Sequence, residues 1–121
     1  MNCRELEQTA LVVADRLLKT KGHIAVVEVF IETGHLSKSD YEAWRFGRVP
    51  YLEKVIRTNL SRINKTCRTL HVSARRGCLR PSWTAYVKWG EGARTPLRFT
   101  KSGDEKLEQA WATHYLPPHK I

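Results

Sequence analysis

Between Lys54 and Gly90 the chain carries nine Lys and Arg side chains and no Asp or Glu. Lys54, Arg57, Arg62, Lys65, Arg68, Arg75, Arg76, Arg80 and Lys88 therefore have no acidic neighbour in sequence to pair with. Extending the segment to Lys101 adds Arg94, Arg98 and Lys101 against Glu91 alone. The rest of the chain holds nine basic and eleven acidic residues, so the net charge of +9 belongs to one continuous block. Fixed cations without local carboxylates suit a polyanion, which they bind by charge and by N–H donation. A face built for solubility alone usually mixes signs, with Glu and Lys one turn apart.

A helical period runs through the first part of the block. Leu52, Ile56, Leu60, Ile63, Cys67 and Leu70 recur at spacings of three and four, which predicts a helix opening at Pro50 and running to about residue 70–76, before Gly77, with Leu70 to Ser73 equally able to turn into strand. Lys54, Arg57, Lys65, Arg68, Arg75 and Arg76 then project from the opposite face, with Arg62 on its flank. After Pro81 the period changes to two. Ala85, Val87 and Trp89 alternate with Thr84, Tyr86 and Lys88, and Leu97 and Phe99 alternate with Arg98 and Thr100, which predicts a β-hairpin over 84–101. Its connection, Gly90 to Thr95, is long and Gly-rich and carries Arg94 at the tip.

The N-terminal half is read as helical. Asn2 with Glu5 resembles a capping box for a first helix over about 3–20, with Leu6, Ala10, Val13, Ala14 and Leu17 on one face and Gly22 as its stop. Ile24 to Ile31 suits either a buried strand or a helix. A helix ended by Gly34 is favoured, with Glu28 and Glu32 on its wet face and Val27, Phe30 and Ile31 inside. Ser37 with Asp40 marks the cap of a short helix anchored by Tyr41, Trp44 and Phe46 and closed by Gly47. At the other end, Ser102 with Glu105 reads as a capping box, and Leu107, Ala110, Trp111 and His114 outline a closing helix stopped by Pro117-Pro118.

Composition sets further bounds. A chain of 121 residues, 41% hydrophobic with four Trp and four Tyr, is expected to form a single α+β domain over 1–121 with its own core. No apolar run reaches the length of a membrane span, and the start of the chain lacks a signal-peptide layout, so a cytoplasmic protein is expected. Cys3, Cys67 and Cys78 are odd in number and widely spaced, against a disulfide framework.

Three or four helices, a two-stranded hairpin with a basic tip, then a closing helix: this order is similar to the winged helix-turn-helix family of DNA-binding domains. Ala25 to Gly34 stands as a first motif helix, Leu36 to Asp40 as turn and cap, and Tyr41 to Phe46 as a second helix. The resemblance implies Lys38, Ser39, Arg45 and Arg48 near DNA and Arg94 on the wing. Duplex DNA is then the expected partner, ahead of RNA, with phosphates met by the 50–76 helix and helped by Lys88, Arg94 and Arg98. Base reading falls to Arg45, Arg48 or Arg62. A homodimer through the first helix and an acidic protein partner stand as further expectations.

Rival chemistries are thin. Glu28, Glu32, Asp40 and Glu42 have no metal-ligand spacing for a nuclease, and Cys67, His71 and Cys78 lack a Cys-x-x-Cys pair for zinc. No Gly-rich phosphate loop is present. Neither catalysis, nor a cofactor, nor a metal is expected. For RNA, Trp83, Tyr86 and Trp89 lie among the cations, and of the three rings Tyr86 alone is expected outside for stacking, with Trp89 in the core.

Overall fold

In the computed structural model, which describes residues 3–118, the apolar stripe of the first helix does what its spacing implies. Leu6, Ala10, Val13, Ala14 and Leu17 are all buried along α1 (Cys3–Lys21). Gly22 ends it at φ +80, a left-handed conformation that costs glycine little. The cap assigned to Asn2 lies outside the described residues. The Val-rich segment that follows contains both candidate structures. Ile24–Ala25 forms a two-residue strand, β1, and Val26–Glu32 forms α2. Ser37 caps α3 (Lys38–Arg45) as expected, its Oγ accepting from the Asp40 N–H at 3.0 Å. Trp44 anchors α3 in the core, whereas Phe46 is left exposed.

The long basic helix does not open at Pro50. Leu52–Val55 is a single 3-10 turn, Ile56 is extended, and α4 runs over Leu60–Arg76. Tertiary bonding makes the break: Leu52 N–H donates to the Arg98 carbonyl at 3.1 Å and Glu53 N–H to that of Phe99 at 2.8 Å. A new start is then capped by Asn59, whose Oδ1 accepts from Arg62 N–H at 2.9 Å. The apolar stripe survives the break. Leu52, Ile56, Ile63, Cys67 and Leu70 are buried although only the last three lie on α4. Lys54 and Arg57 accordingly leave the α4 face on which the sequence placed them.

The expected hairpin is also altered. Residues 84–101 form an irregular ribbon joined by one isolated bridge, Val87 to Pro96, and by bonds such as Leu97 N–H to the Tyr86 carbonyl at 2.8 Å. The regular strands lie elsewhere. β3 (Thr113–Leu116) is the centre of a three-stranded antiparallel sheet of order β1-β3-β2, with β2 at Arg80–Trp83. Ile24 faces Tyr115, and Trp83 faces Thr113. The closing helix, α5, is shorter than expected (Glu105–Trp111); Asp104, not Ser102, caps it, and His114 belongs to β3. The protein is α+β, with five α-helices and this small sheet among the described residues.

The core centres on aromatic rings. Trp44 and Trp111 are fully buried, and Phe99 lies between them at ring distances of 5.1 and 6.2 Å. The ribbon is held to this core by Glu108 of α5. Its carboxylate accepts from Phe99 N–H at 2.9 Å, Thr100 N–H at 2.7 Å and Thr100 Oγ1 at 2.6 Å.

Candidate nucleic-acid interface

α4 presents Lys65, Arg68, Arg75 and Arg76 to solvent, with Arg62 half-buried at its start. It has no carboxylate anywhere along its length. Among the described residues the ion pairs are Arg16–Glu32, Lys19–Asp15 and Lys21–Glu28, all within α1 and α2. None involves a cation of the 54–101 block. Like charges one turn apart repel by a few tenths of a kcal/mol each, a cost that phosphates along the helix would reverse. Arg75 and Arg76 in the last turn also suit the negative end of the helix dipole.

The remaining candidate cations gather in two other places. Arg57 and Arg62 flank His35: the Arg57 N–H donates to the His35 carbonyl at 2.8 Å. Burial, and then the Arg62 charge, hold the His35 ring below the ordinary histidine range. Lys54 is exposed in the preceding turn. Around the end of α3 lie Arg45, Arg48, Lys88 and Arg98. The Arg45 guanidinium is half-buried, 4.5 Å above the Trp89 ring and 5.0 Å from that of Tyr86, and Arg48 lies 5.6 Å over Phe46. Lys88 runs its stem past Gly47, and it shares a small cavity with Arg98. Arg98 donates to the carbonyls of Thr100 and Lys101 and so holds the turn that follows it. Arg94 stands exposed at the ribbon tip.

On α3 itself, Lys38 and Ser39 are exposed, but Lys38 lines a hollow that includes Glu28 and Glu32. With Asp40 and Glu42 also on it, α3 carries no excess of positive charge. The unopposed charge is on α4.

The aromatic expectation is reversed. Tyr86 is buried, its ring 5.6 Å from Trp44 and 5.3 Å from Phe99, while its hydroxyl lies 2.9 Å from His114 Nε2. Trp89 is 37% exposed and Trp83 65% exposed. The ribbon turns its Tyr86 side inward because a phenol there finds both rings and a hydrogen-bond partner. Trp83 closes one side of a cleft of about 730 Å3 between α4 and α5, floored by Thr113 and Tyr115 of β3. Arg68 and Asn64 of α4 and Lys106 and Gln109 of α5 also line it. Lys106 and Asn64 lie outside every pattern in the sequence, and the exposure of Pro81 and Trp83 along β2 emerges only in the fold.

Two of the candidate metal ligands are held in ion pairs. Glu28 and Glu32 pair with Lys21 and Arg16. Cys67 is buried, and burial pushes its thiol up to about 12, while Cys78 is exposed. Among the described residues no three His, Cys, Asp or Glu side chains gather as metal ligands, and no helix is long and apolar enough to cross a membrane. No family model matches the chain, and neither a curated protein nor a solved structure matches it significantly.

Proposed function

We propose that this protein binds nucleic acid, duplex DNA ahead of RNA, by meeting phosphates with the exposed face of α4. One observation carries the reading: Lys65, Arg68, Arg75 and Arg76 share a helix that has no carboxylate, and none of them is in an ion pair among the described residues. Counterion release from the DNA backbone then supplies most of the affinity. Lys88, Arg94 and Arg98 of the ribbon are auxiliary contacts. Arg62 and Arg48 remain the candidates for base reading; Arg45, stacked on Trp89 and Tyr86, is better suited to holding the ribbon against α3.

In this reading the chain is winged-helix-like in its order of elements, with α4 lying on the DNA and the 84–101 ribbon as its wing. It acts in the cytoplasm as a binding module, without catalysis or a cofactor. Leu11 and Val12, exposed on α1, favour self-association through that helix. The test is binding to a random-sequence duplex DNA and to a matched single-stranded RNA from about 50 to 200 mM salt. A steep loss of affinity with salt supports the phosphate reading, and the tighter of the two names the ligand. No binding at the lowest salt overturns it and turns the search to an acidic protein partner.

A further inference from the structure

The cleft between α4 and α5 has a composition that phosphate contact along α4 does not use. Of the four tryptophans, Trp44 and Trp111 are fully buried and Trp89 is partly covered by Arg45 and Phe46, whereas Trp83 is 65% exposed at the rim of the cleft. It stands on β2, an edge strand, where the alternation of the strand turns Pro81 and Trp83 to the same side. A large ring left in water at the mouth of a hollow offers a flat face on which a ligand can stack.

Charge narrows what fits. The cleft is lined by Arg68 from one wall and Lys106 from the other, with no Asp or Glu among its lining residues. Asn64 and Gln109 add two amides, each able to donate and to accept. A flat π face, two cations on opposite walls and a neutral amide on each wall match a base that stacks, a phosphate that is neutralised and base edges that are hydrogen-bonded. A volume of about 730 Å3 lies in the range of small-molecule sites and holds a nucleotide. A base inside a duplex is stacked on both faces and cannot enter. We infer that the α4–α5 cleft takes an unpaired nucleotide of a nucleic-acid strand, stacked on Trp83 with its phosphate against Arg68 or Lys106. This rests on the α4 phosphate reading, because Arg68 lies both on the exposed α4 face and in the cleft. It adds a preference for a strand end or a single-stranded extension beside a duplex.

The experiment compares a blunt duplex of about 16 base pairs with the same duplex bearing a single-stranded extension of about five nucleotides, in a Trp89→Phe background so that Trp83 is the exposed indole. The extended duplex is expected to bind roughly tenfold more tightly and to quench the indole fluorescence. Trp83→Ala, at a position too exposed to disturb the fold, is expected to abolish that preference while leaving blunt-duplex binding and the melting temperature unchanged. Lys106→Ala should reduce the preference as well. Equal binding of the two duplexes, or a preference that survives Trp83→Ala, overturns the cleft assignment and leaves the α4 reading standing. Failure to bind either duplex at the lowest salt overturns both.

Discussion

Trp44 Nε1 donates to the backbone carbonyl of Arg98 at 2.8 Å, although the two residues are 54 positions apart in sequence. The bond ties α3 to the returning side of the ribbon. It is made by a fully buried indole whose ring also touches Tyr86 and Phe99. One side chain thus fixes both the core and the position of the segment that interrupts the basic helix, since the same Arg98 carbonyl receives Leu52 N–H.

Trp44→Phe is therefore expected to cost more than ring size alone suggests. It removes one of the two donors to the Arg98 carbonyl and leaves a void beside Phe99. A loss of about 2–4 kcal/mol in urea unfolding is expected, with an unchanged denaturant slope. A loss below about 0.5 kcal/mol would mean that the carbonyl does not need the indole.

Glu108 carries a comparable load on the other side of the ribbon. Its carboxylate accepts three hydrogen bonds from Phe99 and Thr100, and a neutral amide cannot replace both oxygens. Glu108→Gln turns an NH2 group toward N–H donors, so a destabilisation of about 2–3 kcal/mol is expected. Amide hydrogen exchange at Phe99 and Thr100 should accelerate in the variant before global unfolding does.

Long-range hydrogen bonds to the ribbon explain why the sequence predicts some elements and misplaces others. α1 and α3 depend on local signals: a buried stripe with Gly22 after it, and Ser37 reaching the Asp40 N–H. The break before α4 depends on N–H groups of Leu52 and Glu53 finding carbonyls of residues 98 and 99, which no local pattern contains. Asn59 is a residue type that caps helices, but the apolar spacing from Leu52 to Leu70 runs through it without a break. In the ribbon, alternation counts Ala85, Val87 and Trp89 as the apolar face and Tyr86 as polar. The half-buried partner of the Tyr86 hydroxyl, His114, is set by the sheet. The cations of α4 are legible because charge is composition; the cleft beside them is not, because its walls and floor come from four elements.

Burial separates two of the cysteines chemically. Cys67 is buried in the core and its thiol is pushed up to about 12, so it stays protonated at neutral pH, while Cys78 is exposed after α4. In a Cys3→Ser background, a thiol reagent at neutral pH should label one site in the native protein and two after denaturation. Mass spectrometry after digestion should find Cys78 modified first. Rapid native labelling of Cys67 would contradict the position of α4 in the core.

Two histidines give stability an acid limit. Burial, with His23 next to it, holds His114 below the ordinary histidine value, and burial with Arg62 does the same to His35. Below about pH 6.5 the unfolded chain therefore binds protons that the folded protein resists. This contribution is complete above that pH and is lost as pH falls toward the folded values. The melting temperature is expected to drop from pH 7 to pH 5, and His35→Asn with His114→Asn should flatten the drop. A slope unchanged in the double variant would assign it to the carboxylates instead.

The α4 reading has its own numerical signature. Each phosphate contact on duplex DNA adds about 0.9 to the slope of log affinity against log salt. Lys65 and Arg75 are exposed and in no ion pair among the described residues, so Lys65→Ala with Arg75→Ala should leave folding intact and lower the slope by about 1.8, with affinity falling alike for unrelated sequences. Lys19 supplies the contrast, because its ammonium already faces Asp15 at 2.9 Å on α1. Lys19→Ala is expected to leave the slope where it was. If removing Lys19 lowered the slope as much as removing a cation of α4, binding would follow net charge rather than position, and the helix would lose its claim to the phosphates. A fall confined to one DNA sequence would instead make Lys65 or Arg75 a reader of bases.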